Sequence, residues 1–280
     1  MQIKSLDHVE FDEVVECFND SFAGYFVKMP TSSDFWAKRW NAGRVDYSFS
    51  YGMFDDNKLV GFIINGIDHR NGFLTAFNSG TGVLPSYRGR KIVKQLYDYA
   101  IPKLIAGGIQ LCALEVIDEN NKAIKAYQSV GFEIVKTLKC YSGDLKTDVF
   151  QKIAVNKIPF ENIDWNKLPN QQFYSWDNQR NAIEILKSEY ECFEVVDDGK
   201  ELGIFIINPK NGSLAQFDVV NETSQDDWKK LFSAIKNIVP TIKINNIDDR
   251  LRNKILAIEN QGLNNTIDQY EMEFLIKTEN

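Results

Sequence analysis

Apolar residues fall first at helical spacing. In "HVEFDEVVECFNDSFAGY" (His8 to Tyr25), Val9, Val14, Val15, Phe18 and Phe22 recur at close to one helical turn, which predicts an amphipathic helix. "SDFWAKRW" predicts a second, shorter helix with Ser33 or Asp34 as its cap. The period then changes. "YSFSYGMF", "KLVGFIING" and "FLTAFNSGTGVL" are strand-like runs separated by Asp-Asp-Asn and Asn-Gly turns, the pattern of an antiparallel meander. "KIVKQLYDYAIPKLI" carries Ile92, Val93, Leu96, Tyr97, Ala100 and Leu104 on one helix face, with Pro102 expected to kink its last turns. "IQLCALEVID" reads as a buried strand, "NNKAIKAYQSV" as a helix ended by Gly131, and "FEIVKTLKCY" as another strand. The order of elements predicts an α/β (α+β) layer with a mixed, mostly antiparallel sheet flanked by helices.

The second half repeats the first. "DDGKELGIFIINPKNGSLAQF" from Asp197 echoes "DDNKLVGFIINGIDHRNGFLTAF" from Asp55, with the same turn, the same glycine and the same apolar run. "WKKLFSAIKNIV" then matches the long helix, "IKINNID" the buried strand, and "RLRNKILAIENQGL" the helix that runs to a Gly plus an apolar residue. Two copies of one domain are expected, at 1–146 and 147–280, with the join in the Lys146 to Phe160 stretch.

Composition narrows the chemistry. A chain of 280 residues, 44% hydrophobic and 25% charged, has material for two packed cores. Its net charge of -7 opposes binding to nucleic acid or an anionic membrane, so neither is expected as a partner. The cysteines, Cys17, Cys112, Cys140 and Cys192, form no C-x-x-C pair and read as buried, reduced thiols. With His8 and His69 the only histidines, a zinc site or a Ser/His/Asp triad has little to start from, and no metal is expected. The opening residues carry no secretory pattern and no run reaches membrane length, so the expected setting is cytoplasmic.

Against that acidity, "GTGVLPSYRGRKIV" (Gly80 to Val93) gathers Arg88, Arg90 and Lys91, with Lys94 just beyond, where a helix is expected to begin. A helix dipole disfavours cations at that end, and a bound polyanion would explain them. A strand ending at Val83, a pairing stop at Leu84-Pro85 and a helix starting near Arg88 would aim free backbone N–H groups at one point, a ready pyrophosphate site. The spacing fits neither a nucleoside triphosphate P-loop nor the dinucleotide fingerprint.

"VLPSYRGRKIV" resembles the coenzyme A pyrophosphate loop of the GNAT superfamily of N-acetyltransferases, V-x-P-x-x-R-G-x-G-x-G/A ahead of a long helix. "LEVIDENNKAIKAYQSVGF" (Leu114 to Phe132) is similar to that family's second signature, L-x-V followed by N-x-x-A-x-x-x-Y and Gly-Phe. The two motifs occur in the family's order and the resemblance spans residue 1 to about 145. It implies two GNAT-like domains, the second degenerate, with acetyl-CoA as acetyl donor for the first. The residues implied to hold it are Val83, Arg88, Gly89, Arg90, Lys91, Ile92, Val93 and Asn120. Lys91 and Val93 depart from the family, which has small residues there. Gly80 and Gly82 are implied to mark a bulge that parts two strands for the pantetheine arm, or are simply strand glycines. Asn120 holds that arm, caps a helix, or does both.

Tyr127 falls where the family often has a general acid, with a core tyrosine as the bland alternative. The implied reaction is direct attack of an amine on the thioester, with an N–H near Val83 steadying the oxyanion and Tyr127 protonating the thiolate. The base is harder to find: "GFLTAFNSGTGVL" has no carboxylate, which leaves Glu115, Asp68 and His69 by position, or a water chain. The acceptor is expected to be a primary amine of a small molecule or peptide, its site lined by "GYFVKMP" and "SDFWAKRW". In the second half, "NETSQDDW" sets Asp226 and Asp227 at the helix start, and Ile258 stands where Tyr127 does, so coenzyme A is not expected there. That half walls the acceptor pocket or mediates a homodimer, and its Tyr174 and Trp176 are either core or contact surface. The rival from another class is a noncatalytic acyl-CoA sensor or interaction scaffold.

Overall fold

The computed structural model describes residues 1–147 and 153–276. The chain divides into two compact units, Met1–Val135 together with the C-terminal segment from Tyr270, and Lys136–Gln269.

The first unit opens with β1 (Gln2–Ser5), α1 (Phe11–Ser21) and α2 (Ser33–Ala42). β1 escapes the sequence pattern because a four-residue edge strand, half exposed, carries too little alternation to register. The cap of α2 is Ser32, whose hydroxyl accepts from the Phe35 N–H, one residue earlier than expected. β2 (Tyr51–Asp55), β3 (Lys58–Arg70) and β4 (Phe73–Val83) form the expected antiparallel meander, joined by Asp56-Asn57 and Asn71-Gly72 turns that hold positive φ. α3 (Ile92–Ala106) runs through Pro102, and β5 (Leu111–Ile117) then pairs parallel to β4. α4 (Asn121–Gln128) follows, and the core joins Phe18, Trp36 and Trp40 from the first two helices with Phe62, Ile64, Leu96, Tyr97 and Phe132.

The following strand, β6 (Glu133–Asp144), crosses the division between the units at Val135, and from Lys136 it belongs to the second. That unit continues with β7 (Ile153–Ile158), α5 (Arg180–Ile185), β8 (Glu191–Asp197), β9 (Lys200–Asn208), β10 (Ser213–Val219), α6 (Gln225–Ile238), β11 (Thr241–Asp248), α7 (Arg252–Asn260) and β12 (Asn264–Asn265). The last strand, β13 (Gln269–Leu275), returns to the first unit beside β5. The first unit's strand order is β1-β2-β3-β4-β5-β13, and the second's is β6-β11-β10-β9-β8-β7.

The expected join at 146/147 therefore differs from this division, and 148–152 lie outside the described residues. Alternation tells a strand which side is apolar; it does not say which sheet will take it. Met272 from β13 lies in the first core, while Tyr141 and Leu145 lie in the second with Phe205, Phe217, Trp228 and Phe232. No helix among the described residues is long and apolar enough to cross a membrane.

Candidate active site

Parallel pairing of β4 with β5 covers Thr75 to Asn78 against Leu111 to Leu114 and goes no further. On its other edge β4 stays paired with β3 to Val83, but the register skips Ser79, between Asn78 opposite Asn65 and Gly80 opposite Ile64. That bulge turns the end of β4 and opens a gap beside β5. Gly80 and Gly82 follow the bulge and are required for another reason. A Cβ on Gly82 would stand 2.4 Å from Phe62 Cζ and 2.8 Å from Ser21 Cβ, and one on Gly80 3.0 Å from Phe18 Cε2, so glycines let α1 lie on the strand.

Backbone direction at the gap follows from the pairing. The Leu84 N–H donates to the Val60 carbonyl at 3.0 Å, so Val83 and Thr81 turn their N–H groups to the opposite edge, where β5 has parted. The Val83 carbonyl on that edge accepts from Arg88 Nε at 3.2 Å.

Side chains of β4, α3 and α4 meet at the gap. Asn78 Oδ1 accepts from the Gly80 N–H at 3.1 Å, and its Nδ2 donates to Thr81 Oγ1 and to the Tyr97 hydroxyl, both at 2.8 Å. The Tyr127 ring lies edge-on to that of Tyr97 with centroids 6.4 Å apart. Burial pushes the Tyr127 pKa up to about 12, with the Thr81 side chain working against the rise. The phenol is therefore fully protonated at neutral pH and able to donate. Asn120 caps α4, its Oδ1 accepting from the Ala123 N–H at 3.2 Å, and its Nδ2 donates to the Tyr25 hydroxyl at 3.3 Å. Phe26 meets the Tyr25 ring edge-on, and Phe26, Val27 and Phe35 are exposed apolar side chains.

The basic loop is organised differently from the sequence reading. Pro85–Tyr87 is a short 3-10 turn and α3 begins only at Ile92, because Gly89 (φ 78°) and Lys91 (φ 57°) are left-handed and cannot be helical. Lys91 thus keeps the backbone conformation for which the family has glycine, and Val93 packs partly against the core. Arg88 donates to the Ser21 carbonyl at 2.8 Å, Arg90 stacks over the Tyr87 ring at 4.8 Å, and Lys94 pairs with Asp98 at 2.7 Å. Among the described residues Lys91 alone of the four has its charge without a protein partner. The first turn of α3 has neither an acidic residue nor a side-chain cap, which leaves its N–H groups open to an anion.

Of the base candidates, Asp68 is held by Arg44 at 3.0 Å and His69 is exposed on β3. Glu115 sits half-buried one residue past the last β4–β5 pair, on the face opposite Leu114 and so opposite Tyr127. All four cysteines are buried and free, and burial pushes the Cys112 thiol up to about 12, which leaves it unreactive.

The second unit repeats the bulge, between Leu214 and Gln216, and parts β10 from β11 after a single pair, Ser213 with Lys243. Counting from each bulge, Asp218 takes the place of Gly82 and Phe217 that of Thr81. Asp218 is buried against Lys254 of α7 at 2.6 Å, the Tyr174 hydroxyl at 2.6 Å and Asn170 at 3.2 Å. The rings of Tyr174, Phe217 and Trp228 surround the ammonium. Tyr174 and Trp176 are thus core residues of this unit, 4% and 0% exposed. Ser224 caps α6 by accepting from the Asp227 N–H at 3.1 Å, with Asp226 beside it. A helix start already capped and negatively charged repels phosphate.

Residues 12–132 match the family model of the acetyltransferase (GNAT) family. Among solved structures, the tandem GNAT protein from the clavulanic acid biosynthesis pathway aligns with TM-score 0.69 at 11% identity, covering 100% of both chains. A GCN5-related N-acetyltransferase from Sphaerobacter thermophilus gives 0.69 at 9% identity over 99% of this chain and 96% of its own. A putative acetyltransferase from Pyrococcus horikoshii gives 0.65 at 13% identity, covering 99% and 89%. No curated protein sequence matches the chain. Residues 12–132 carry the GNAT family's sequence signature, and the whole chain shares its fold with the tandem GNAT structure.

Proposed function

We propose that the first unit transfers an acetyl group from acetyl-CoA to a primary amine of a small molecule or peptide. The observation that carries this reading is the parting of β4 from β5 beside a buried, protonated Tyr127, with an uncapped helix start at the same end of the sheet. The N–H groups opening α3 and the left-handed Gly89–Lys91 loop suit a diphosphate, Lys91 adds a charge, and Asn120 at the start of α4 offers its amide to the carrier's arm.

Chemistry then needs little from the protein. The amine lone pair forms the new bond to the thioester carbonyl carbon, the Val83 N–H supports the oxygen as it gains charge, and the carbon–sulfur bond breaks. The sulfur takes the Tyr127 proton, the nitrogen loses one to water, since Glu115 lies on the other face of the sheet, and exchange with solvent restores the phenol. The exposed Phe26, Val27 and Phe35 give the acceptor an apolar wall.

Free-thiol release from acetyl-CoA, measured with glucosamine, spermidine, lysine and an alanine-led tripeptide, tests the reading. Tyr127→Phe should lower kcat by about 10²–10⁴ with unchanged acetyl-CoA affinity. Unchanged turnover would remove the acid role. Because β4 has no carboxylate, the acyl-CoA sensor remains the rival, and tight binding with background thiol release from every amine would favour it.

A further inference from the structure

We propose that Asn78 is a positioning residue that holds the end of β4 from the side of α3, so that the strand's gap edge is left to the arm of the acyl carrier. The inference rests on the carrier binding given to the first unit above and adds what keeps the bulged strand in place. Asn78 makes the last β4–β5 pair, with Leu114, immediately before the bulge at Ser79. A backbone N–H only donates, so the Gly80 N–H at 3.1 Å settles which end of the buried Asn78 amide is oxygen. Nδ2 then directs its two hydrogens to Thr81 Oγ1 and to the Tyr97 hydroxyl, 2.8 Å from each. One side chain thus ties Gly80 and Thr81 to the residue before the bulge, and ties all three to α3. Tyr97 is a fixed post, 1% exposed, with its ring edge-on to Phe132 at 5.2 Å. None of these bonds uses the edge to which Thr81 and Val83 turn their N–H groups.

The second unit has the bulge without this tie. Counting from each bulge, Leu214 stands where Asn78 does, so an asparagine is not what makes the strand bulge. There the strand after the bulge is held from its gap edge instead. The Phe217 N–H, counterpart of that of Thr81, donates to the Tyr174 hydroxyl at 3.1 Å. Gln216 Nε2, one residue earlier, donates to the Asn178 carbonyl at 2.7 Å, and Asn178 Nδ2 reaches on to the Asn245 carbonyl of β11 at 3.0 Å. The 174–178 segment therefore bridges the two parted strands and takes the backbone donor that a carrier would need. A bulged strand can be anchored on either side: an anchor across the gap uses that donor, and an anchor on α3 leaves it to a ligand.

The test titrates the full chain, Asn78→Leu, Tyr97→Phe and the double variant with two ligands, acetyl-CoA and 3′-phosphoadenosine 5′-diphosphate, the carrier's nucleotide end without its arm. Asn78→Leu should raise the Kd for acetyl-CoA about 10- to 100-fold, because the end of β4 loses its anchor, and leave the Kd for the nucleotide unchanged. Tyr97→Phe removes a single oxygen, so it carries the test even where the leucine variant does not fold. It should raise the Kd for acetyl-CoA about 3- to 10-fold, with the nucleotide again unchanged. In the Asn78→Leu background it should add almost nothing, since the hydroxyl acts through the amide. An acetyl-CoA Kd unchanged in either variant, equal weakening of both ligands, or additive losses in the double variant overturns the positioning role while leaving carrier binding in place. A wild-type chain that fails to saturate with one or the other ligand overturns carrier binding itself, and the positioning role with it.

Discussion

Lys254→Met puts the closed cleft of the second unit under direct strain. The ammonium and the Asp218 carboxylate lie 2.6 Å apart with side chains 1% and 3% exposed, so water cannot replace either partner. Burial already raises the Asp218 pKa, with Lys254, Tyr174 and Asn170 opposing the rise. Removing the lysine leaves a buried carboxylate with only neutral donors, a change that costs about 3–5 kcal/mol in comparable sites. Asp218→Asn/Lys254→Met removes both charges and retains the amide contacts, so its loss should be nearer ~1–2 kcal/mol.

Urea unfolding followed by tryptophan fluorescence reads both, because Trp228 lies 5.8 Å from the ammonium. The pH dependence has a definite sign. In Lys254→Met the folded pKa of Asp218 lies further above its unfolded value near ~3.9, so protonation favours the folded form. The deficit against wild type is therefore greatest at neutral pH and narrows as pH falls through that raised folded pKa. A single-variant loss under about 1 kcal/mol, a loss equal to that of the double variant, or a deficit that widens on acidification would refute a desolvated pair.

Gly82→Ala places a Cβ 2.4 Å from Phe62 and 2.8 Å from Ser21, and should cost about 1–3 kcal/mol in urea denaturation through overpacking. Stability equal to wild type would show that α1 does not seat on β4 this closely. Gly89 and Lys91 share a left-handed backbone, so substitutions there should act with opposite signs. Gly89→Ala should lose about 1 kcal/mol although its Cβ would meet open space, and Lys91→Gly should be stability-neutral or gain up to ~1 kcal/mol. A clear loss of stability in Lys91→Gly, read by the same denaturation, would contradict the assigned loop.

Most elements were legible because their periods are clean. The meander announced itself through alternation and Asp-Asn and Asn-Gly turns, and the two halves share enough of that grammar to reveal the repeat. Asn120 and Tyr127 could be placed on α4 from one motif, since it fixes a short local structure. Four features were not legible. The return of β13 to the first unit is a choice between sheet edges, which local alternation does not encode. Arg88 binding Ser21 and Arg90 stacking on Tyr87 depend on where α1 ends and how the turn curls. Asn78 reads as an ordinary strand residue, and the bulge at Ser79 sets it where its amide meets the Tyr97 hydroxyl. Lys254 is the sharpest case: a lysine in an amphipathic helix reads as solvated, and its burial comes from Asp218 and three aromatic rings on distant segments.

Isothermal titration of the full chain with acetyl-CoA most directly tests the claim that the first unit holds an acyl carrier and the second does not. The account predicts saturable heat with one molecule bound per chain, lost in Gly89→Glu, which sets a carboxylate in the loop before α3. No saturable heat, two molecules per chain, or one that binds undiminished in Gly89→Glu would contradict it.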